Sequence, residues 1–235
     1  MKIFFRLLFA HLLADFVLQT NFIANWKKRS FYGVLVHSLT FFILSLLLTY
    51  NYITEIWIDY PLQLSGIFCL IILFILHIAE DEYRAYNIRR HYVKDNILYF
   101  FLDQIIHIAL LFIFSPHSSE LENNIEWIFV ILCLLIVGTY VLSIVILYVD
   151  SLVYSTSVAY NFFQKKIYSI IFRFVVMLFF FLPNRLYLLS FLLIPALLLI
   201  NKKINFLSLV GFWVSILSVY SIGFVIMFLY RNYIL

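Results

Sequence analysis

Charge is what this chain has least of. Asp, Glu, Lys and Arg make up 12% of its 235 residues, against about a quarter in ordinary soluble domains. A solvated globular domain is thereby excluded, and no stretch is left over for a separate soluble domain. Cysteine is nearly absent: Cys69 and Cys133 both lie in apolar runs, without CxxC spacing, which excludes a disulfide framework or a thiolate zinc site. Glycine (5) and proline (4) are too few to punctuate the short alternating strands of a β-barrel. A cleavable leader is not expected either, because His11 and Asp15 interrupt the first apolar run and no small-residue cleavage site follows.

What fills the chain instead is hydrophobic, 65% by residue with a mean hydropathy of +1.04. Apolar stretches of about 20 residues recur along it, the length that crosses a bilayer as helix. The expected fold is all-α, a polytopic transmembrane bundle of six to eight spans. The fullest count places them at 3–25, 32–50, 62–82, 97–115, 126–149, 167–183, 186–200 and 206–230. The seventh contains Pro195, so it is expected to be kinked or only partly inserted. Segment 150–166 is too polar to span and is expected along the interface or folded back into the bundle. The whole chain reads as one transmembrane domain, its polar site in 1–115 and supporting helices in 126–235.

The net charge of +4 does not call for nucleic acid, because the basic residues sit in short loops where membrane topology needs them. "WKKRS" (26–30) and "EYRAYNIRRHYVK" (82–94) are basic, as are the pairs Lys165–Lys166 and Lys202–Lys203. "NYITEIWIDY" (51–60) and "HSSELENNIE" (117–126) are acidic. The positive-inside rule puts the basic loops in the cytoplasm. Lys2, Arg6, Arg185 and Arg231 count against that assignment.

Against this apolar background the ionisable residues come in pairs at helical spacing. His11 and Asp15 share a face of the first span, with Gln19 one turn on. His77 and Asp81 repeat the pair in the third, beside Glu80, and Asp103 and His107 repeat it in reverse in the fourth, beside Gln104. His37 stands alone in the second. Residues four apart are neighbours on a helix, so each pair presents imidazole and carboxylate to one point. With the basic loops inside, all fall in the cytoplasmic half of the bundle. Histidine and carboxylate without cysteine suit one or two divalent ions such as zinc, manganese or iron. The expected metal ligands are His11, Asp15, His37, His77, Asp81, Asp103 and His107. That is more than one closed zinc site needs, so either two ions are bound or some of these residues orient the ligating imidazoles.

A hydrolytic reading follows, in which Asp81 or Glu80 serves as general base to a metal-activated water. Gln19, Gln104 or Arg173 would then bind the substrate, a lipid-like or phosphorylated molecule reached from the headgroup level. Each assignment has a plainer counterpart: imidazole–carboxylate bonds that join helices, Glu80 as an interfacial residue, Arg173 snorkelling or ion-paired. His91 and His117 read as solvated loop residues. Two other functional classes fit the same residues, an ion- or proton-coupled transporter and a non-enzymatic sensor or assembly component with a structural metal. Membrane lipids are the expected partners, and the sequence is silent on oligomeric state.

The stretches "HLLADFVLQ" (11–19), "VLVHSLT" (34–40), "HIAED" (77–81) and "LDQIIH" (102–107) together resemble a bacterial family catalogued as domain of unknown function 3307. Weaker similarity runs through "KKIYSIIFRFVVMLFFF" (165–181) and "YLLSFLLIPALLLINKKINF" (187–206). There the chain departs from the expected pattern, with Phe172 where an acidic residue would precede Arg173. The resemblance implies a multi-pass protein of the bacterial inner membrane and brings no activity with it.

Overall fold

A computed structural model describes residues 2–91, 96–116 and 124–234. Among these residues the fold is all-α apart from one two-stranded ribbon. Two compact units divide it, Met1–Val130 and Ile131–Leu235.

In the first unit, α1 (Lys2–Leu12) continues as a π-helical turn, Leu13–Val17, and stops. The span expected over 3–25 is therefore interrupted. Thr20 caps the next helix through its hydroxyl, which accepts from the Ile23 amide, and α2 (Asn21–Arg29) leaves at 91°. Too many polar residues crowd "NFIANWKKR" for it to prolong an apolar rod, so it turns off as an amphipathic helix. One residue later α3 (Phe31–Thr49) begins, capped by the Ser30 hydroxyl at the Tyr32 amide. A hairpin of β1 (Ile56–Ile58) and β2 (Leu64–Ser65) leads into α4 (Gly66–His91), and Trp57 packs over Gly66, where a Cβ would come within 2.5 Å of its ring. The helix runs through most of the stretch expected to be a basic loop at 82–94. Finally α5 (Ile97–Ile113) starts at the Asn96 cap, and α6 (Asn124–Ile136) begins in this unit. The apolar core joins Ile3, Leu7, Phe41, Leu70, Leu73 and Leu111 from α1, α3, α4 and α5.

In the second unit α6 passes through another π turn, Val137–Val141, into α7 (Leu142–Val153). Short α8 (Thr156–Gln164) covers much of the segment expected at the interface. It is followed by α9 (Lys166–Phe179), a 3-10 stretch at Leu186–Leu192, α10 (Leu193–Ile204) and α11 (Leu209–Tyr233). Phe180, Phe206, Phe212, Val219 and Ile226 centre this core, and Gly223 admits the Phe180 ring, 2.5 Å from where a Cβ would stand.

Four helical stretches among the described residues are long and apolar enough to cross a membrane: Phe31–Tyr52, Glu126–Val153, Leu186–Ile204 and Leu209–Tyr233. A fifth is counted if the bent pair Ile3–Val17 and Asn21–Arg29 is one broken span. Multi-pass insertion stands, with four or five of the six to eight expected spans meeting the length and apolarity of a crossing helix among the described residues. The shortfall has identifiable causes: α4 carries Glu80, Asp81 and Glu82, α5 has 17 residues, and α9 has 14.

Arg6, which sat awkwardly with the topology, has a structural role. Its guanidinium forks onto the buried Glu126, at 2.7 Å and 3.2 Å, and donates to the Leu48 carbonyl at 2.9 Å. The rings of Phe129 and Tyr52 cover it, at 4.8 and 5.2 Å. The pair ties the start of α1 to the end of α3 and the start of α6. Arg6→Ala strands the Glu126 carboxylate and should cost about 3–5 kcal/mol of unfolding free energy in micelles, whereas Arg6→Leu with Glu126→Leu should recover most of it.

Candidate metal centre

Five helices of the first unit deliver their polar side chains to one place. The end of α1 and its π turn bring His11 and Asp15, α2 brings Lys27, and α3 brings His37. Glu80, Asp81, His77 and Arg84 come from α4, and Asp103, Gln104 and His107 from α5. His77 is the hub, with the ring centres of His107, His37 and His11 at 4.4, 5.4 and 5.8 Å. Phe41 stacks on its other side at 4.9 Å and closes the site toward the apolar core. All four imidazoles are at most 3% exposed.

Local geometry explains how they meet. Placing Asp15 in a π turn changes its angle around the helix relative to His11, and such turns are common at functional sites. Gly33 lets α2 lie directly against α3, since a Cβ there would stand 2.4 Å from the Trp26 carbonyl carbon and 2.5 Å from the Lys27 nitrogen. That approach carries Lys27 to Asp81, Nζ to Oδ1 at 2.6 Å.

The inner part of the cluster is a set of close, poorly aligned contacts. Asp15 Oδ1 lies 3.3 Å from His37 Nε2, 3.5 Å from His11 Nδ1 and 4.0 Å from His77 Nε2. Asp81 Oδ2 lies 3.4 Å from both His37 Nε2 and His77 Nε2. None of these buried atoms has a hydrogen-bond partner, so they face a common point without bonding one another. Buried polar groups left so are costly, and a shared cation is the simplest way to satisfy several at once.

The outer atoms are arranged as supports. Arg84 Nη1 donates to Asp103 Oδ2 at 2.6 Å, and the Gln104 amide donates to the same oxygen at 3.0 Å. The Gln104 carbonyl oxygen therefore faces His11, 3.3 Å from Nε2, and accepts from it. With Nε2 protonated, His11 turns the lone pair of Nδ1 toward Asp15. His107 is set the same way: Nδ1 donates to the Asp103 carbonyl at 2.9 Å, with Glu80 Oε2 3.1 Å away, and Nε2 is left buried with no partner. A second hydrogen bond that fixes the tautomer is characteristic of ligating imidazoles.

Three groups have their ligand atoms within 4.8 Å of one another: Asp15, His37 and His77; His77, Asp81 and His107; and Glu80, Asp103 and His107. Charge counting supports the fit. Four carboxylates (Asp15, Glu80, Asp81, Asp103) face two cations (Lys27, Arg84), and with neutral imidazoles the excess is two negative charges, which one divalent ion balances.

Every residue expected as a ligand thus lies in the cluster, and so do Glu80 and Gln104. Gln19 does not join it: the helix has ended at Val17, and no polar contact connects Gln19 to the site among the described residues. Arg173 lies in the second unit. Its fully buried guanidinium donates to the Thr139 carbonyl at 2.7 Å and to the hydroxyls of Ser215 and Ser143. Asp150, the carboxylate at the end of α7, accepts from Ser208. Lys27 and Arg84 were missed because their segments read as topology-setting loops. His91 ends α4, and His117 lies outside the described residues.

Residues 3–136 match the family model described as Protein of unknown function (DUF3307). The chain belongs to this family. The DUF3307 match takes in every residue of the cluster and stops before Arg173 and the stretches 165–181 and 187–206. No curated protein and no solved structure matches the chain.

Lys27 occupies a cationic position beside Asp81, and removing it should expose the cluster's excess charge. In chelator, Lys27→Gln should unfold at lower temperature than the unsubstituted protein, and Gly33→Ala, which forces α2 away, should behave alike. Wild-type melting in both variants would contradict this role for α2.

Proposed function

We propose that this protein is a metal-dependent hydrolase of the bacterial inner membrane, acting on a lipid-like or phosphorylated substrate at the cytoplasmic face. The single observation that carries this reading is the convergence of four buried imidazoles and four carboxylates, with several ligand-type atoms unpartnered around one point. The loop charges support the cytoplasmic placement, and they support α4, α5 and α9 as further spans in an eight-span topology.

A divalent ion at this centre supplies Lewis-acid chemistry and lowers the pKa of a water molecule toward neutrality. The protein's own residues divide the remaining work. His11, His37, His77, His107, Asp15 and Asp81 hold the ion, and Gln104 and the Asp103 carbonyl fix the tautomers of His11 and His107. Glu80 is the general base. Its side chain is 12% exposed, against 1% for Asp81, and Asp81 is already engaged by Lys27. Arg84 and Lys27, 23% and 14% exposed, form the polar edge by which an anionic substrate approaches.

One observation favours a second reading. Asp15, His37 and His77 are almost fully enclosed, which suits a structural ion closing α1, α3 and α4 in a non-enzymatic membrane component. Elemental analysis of the full-length protein, with hydrolysis assays on lipid phosphates, separates the two. The hydrolase account expects a stoichiometric divalent metal that His77→Ala removes. It also expects Glu80→Gln to keep the metal and lose roughly 100-fold or more in rate. Metal retained with no turnover by the unsubstituted protein favours the structural ion, and no metal at all contradicts both.

A further inference from the structure

Helix α2 has two unlike faces, and the cluster uses only one of them. Residues three and four apart share a helix face. Ile23, Ala24 and Lys27 make up the less exposed side, from which Lys27 reaches Asp81. Phe22, Asn25 and Arg29 form the opposite stripe, flanked by Asn21 and Lys28, and all five are exposed. A helix that covers a buried site ordinarily hides its apolar side chains and shows its charges. This one turns a lysine inward and leaves a phenyl ring out, with Phe22 72% exposed.

The exposed rings extend past the helix. Trp26 lies one turn from Phe22, ring centres 5.9 Å apart, and Phe31 and Tyr32 open α3 as exposed aromatics. The helical stretch before α2 meets it at 91°. In a multi-pass protein, a short helix at right angles to such a stretch, with rings and cations on its outer side, suits the headgroup region. The rings reach the acyl boundary and the cations lie among the phosphates.

Charge selects the kind of lipid. No Asp or Glu occurs between Asp15 and Glu55, so the segment around Lys28 and Arg29 is purely cationic. A guanidinium takes a phosphate through two parallel hydrogen bonds. A zwitterionic headgroup brings its own ammonium to compete for that phosphate, whereas an anionic headgroup does not. Because Arg29 and Lys27 are two residues apart on one short helix, whatever fixes the outer stripe also fixes the inner one.

We propose that the outer stripe of α2 is a docking surface for anionic phospholipid headgroups, and that docking holds α2 in place over the cluster. The surface stands whether or not the cluster is catalytic, since it rests on the exposed side of α2 alone.

Full-length protein in phosphatidylcholine vesicles, with or without phosphatidylglycerol, tests this. Quenching of Trp26 by acyl-brominated lipid, isolated by difference from Trp26→Phe, reads which lipid lies beside α2. At equal mole fraction, brominated phosphatidylglycerol should quench Trp26 more strongly than brominated phosphatidylcholine. Each exposed cation near an anionic surface is worth about fivefold in association, and high salt should weaken the preference. Lys28→Gln combined with Arg29→Gln should abolish it. Amide hydrogen exchange over 21–29 should slow about fivefold or more when phosphatidylglycerol is present, and return to the phosphatidylcholine rate in the double variant. Equal quenching by the two lipids, or a preference that survives the double substitution, overturns the docking surface. A preference without slower exchange overturns its hold on α2. If the double variant does not fold, a preference in the unsubstituted protein that high salt leaves intact overturns the proposal.

Discussion

Ions cannot be left uncompensated in the interior of a bilayer-sized apolar bundle, and that constraint organises both units. On insertion scales a single Asp, Lys or Arg at the centre of a span costs about 2.5–3.5 kcal/mol. Distributed one by one over separate helices, the charges of this chain would oppose insertion of nearly every span. The fold gathers them. Arg6 and Glu126 neutralise each other near one end of the first unit, with aromatic rings over the guanidinium. The His and Asp residues collect elsewhere in the same unit, where Lys27 and Arg84 offset part of the negative charge. What is left over is negative, and a divalent cation would balance it.

The second unit answers the same constraint without a carboxylate beside its buried arginine. Arg173 is held by hydroxyls and by the carbonyl of Thr139, which the π turn in the α6–α7 helix makes available. Ser143, one turn beyond Thr139 on the same helix, also bonds this guanidinium through its hydroxyl. Both π turns among the described residues therefore lie beside buried polar groups, Asp15 in one unit and Arg173 in the other.

Much of the His/Asp cluster was legible in the sequence because helical spacing is strict. His11–Asp15, His77–Asp81 and Asp103–His107 are each four apart, and an apolar background leaves such pairs nowhere to go but inward. That logic failed where the helix was not regular. Gln19 continues the spacing on paper, but a π turn and a 91° bend intervene, and single-residue spacing carries no signal for either. Lys27 and Arg84 failed for another reason: a basic residue near a span end satisfies the topology rule whether it faces water or turns back to a carboxylate. Tertiary packing distinguishes the cases: the contact of α2 with α3 at Gly33 for Lys27, and the approach of α5 to α4 that brings Asp103 to Arg84. The larger span count rests on α4, α5 and α9, where charge or shortness leaves the helix below the length and apolarity of a clear span.

The central claim is that imidazole and carboxylate groups from α1, α3, α4 and α5 share one divalent ion. X-ray absorption spectroscopy at the metal edge of the full-length protein tests it most directly. The account predicts a mixed nitrogen and oxygen shell, with the multiple-scattering signature of at least two imidazoles and no sulfur. An all-oxygen shell without imidazole scattering, or a thiolate shell, would contradict it.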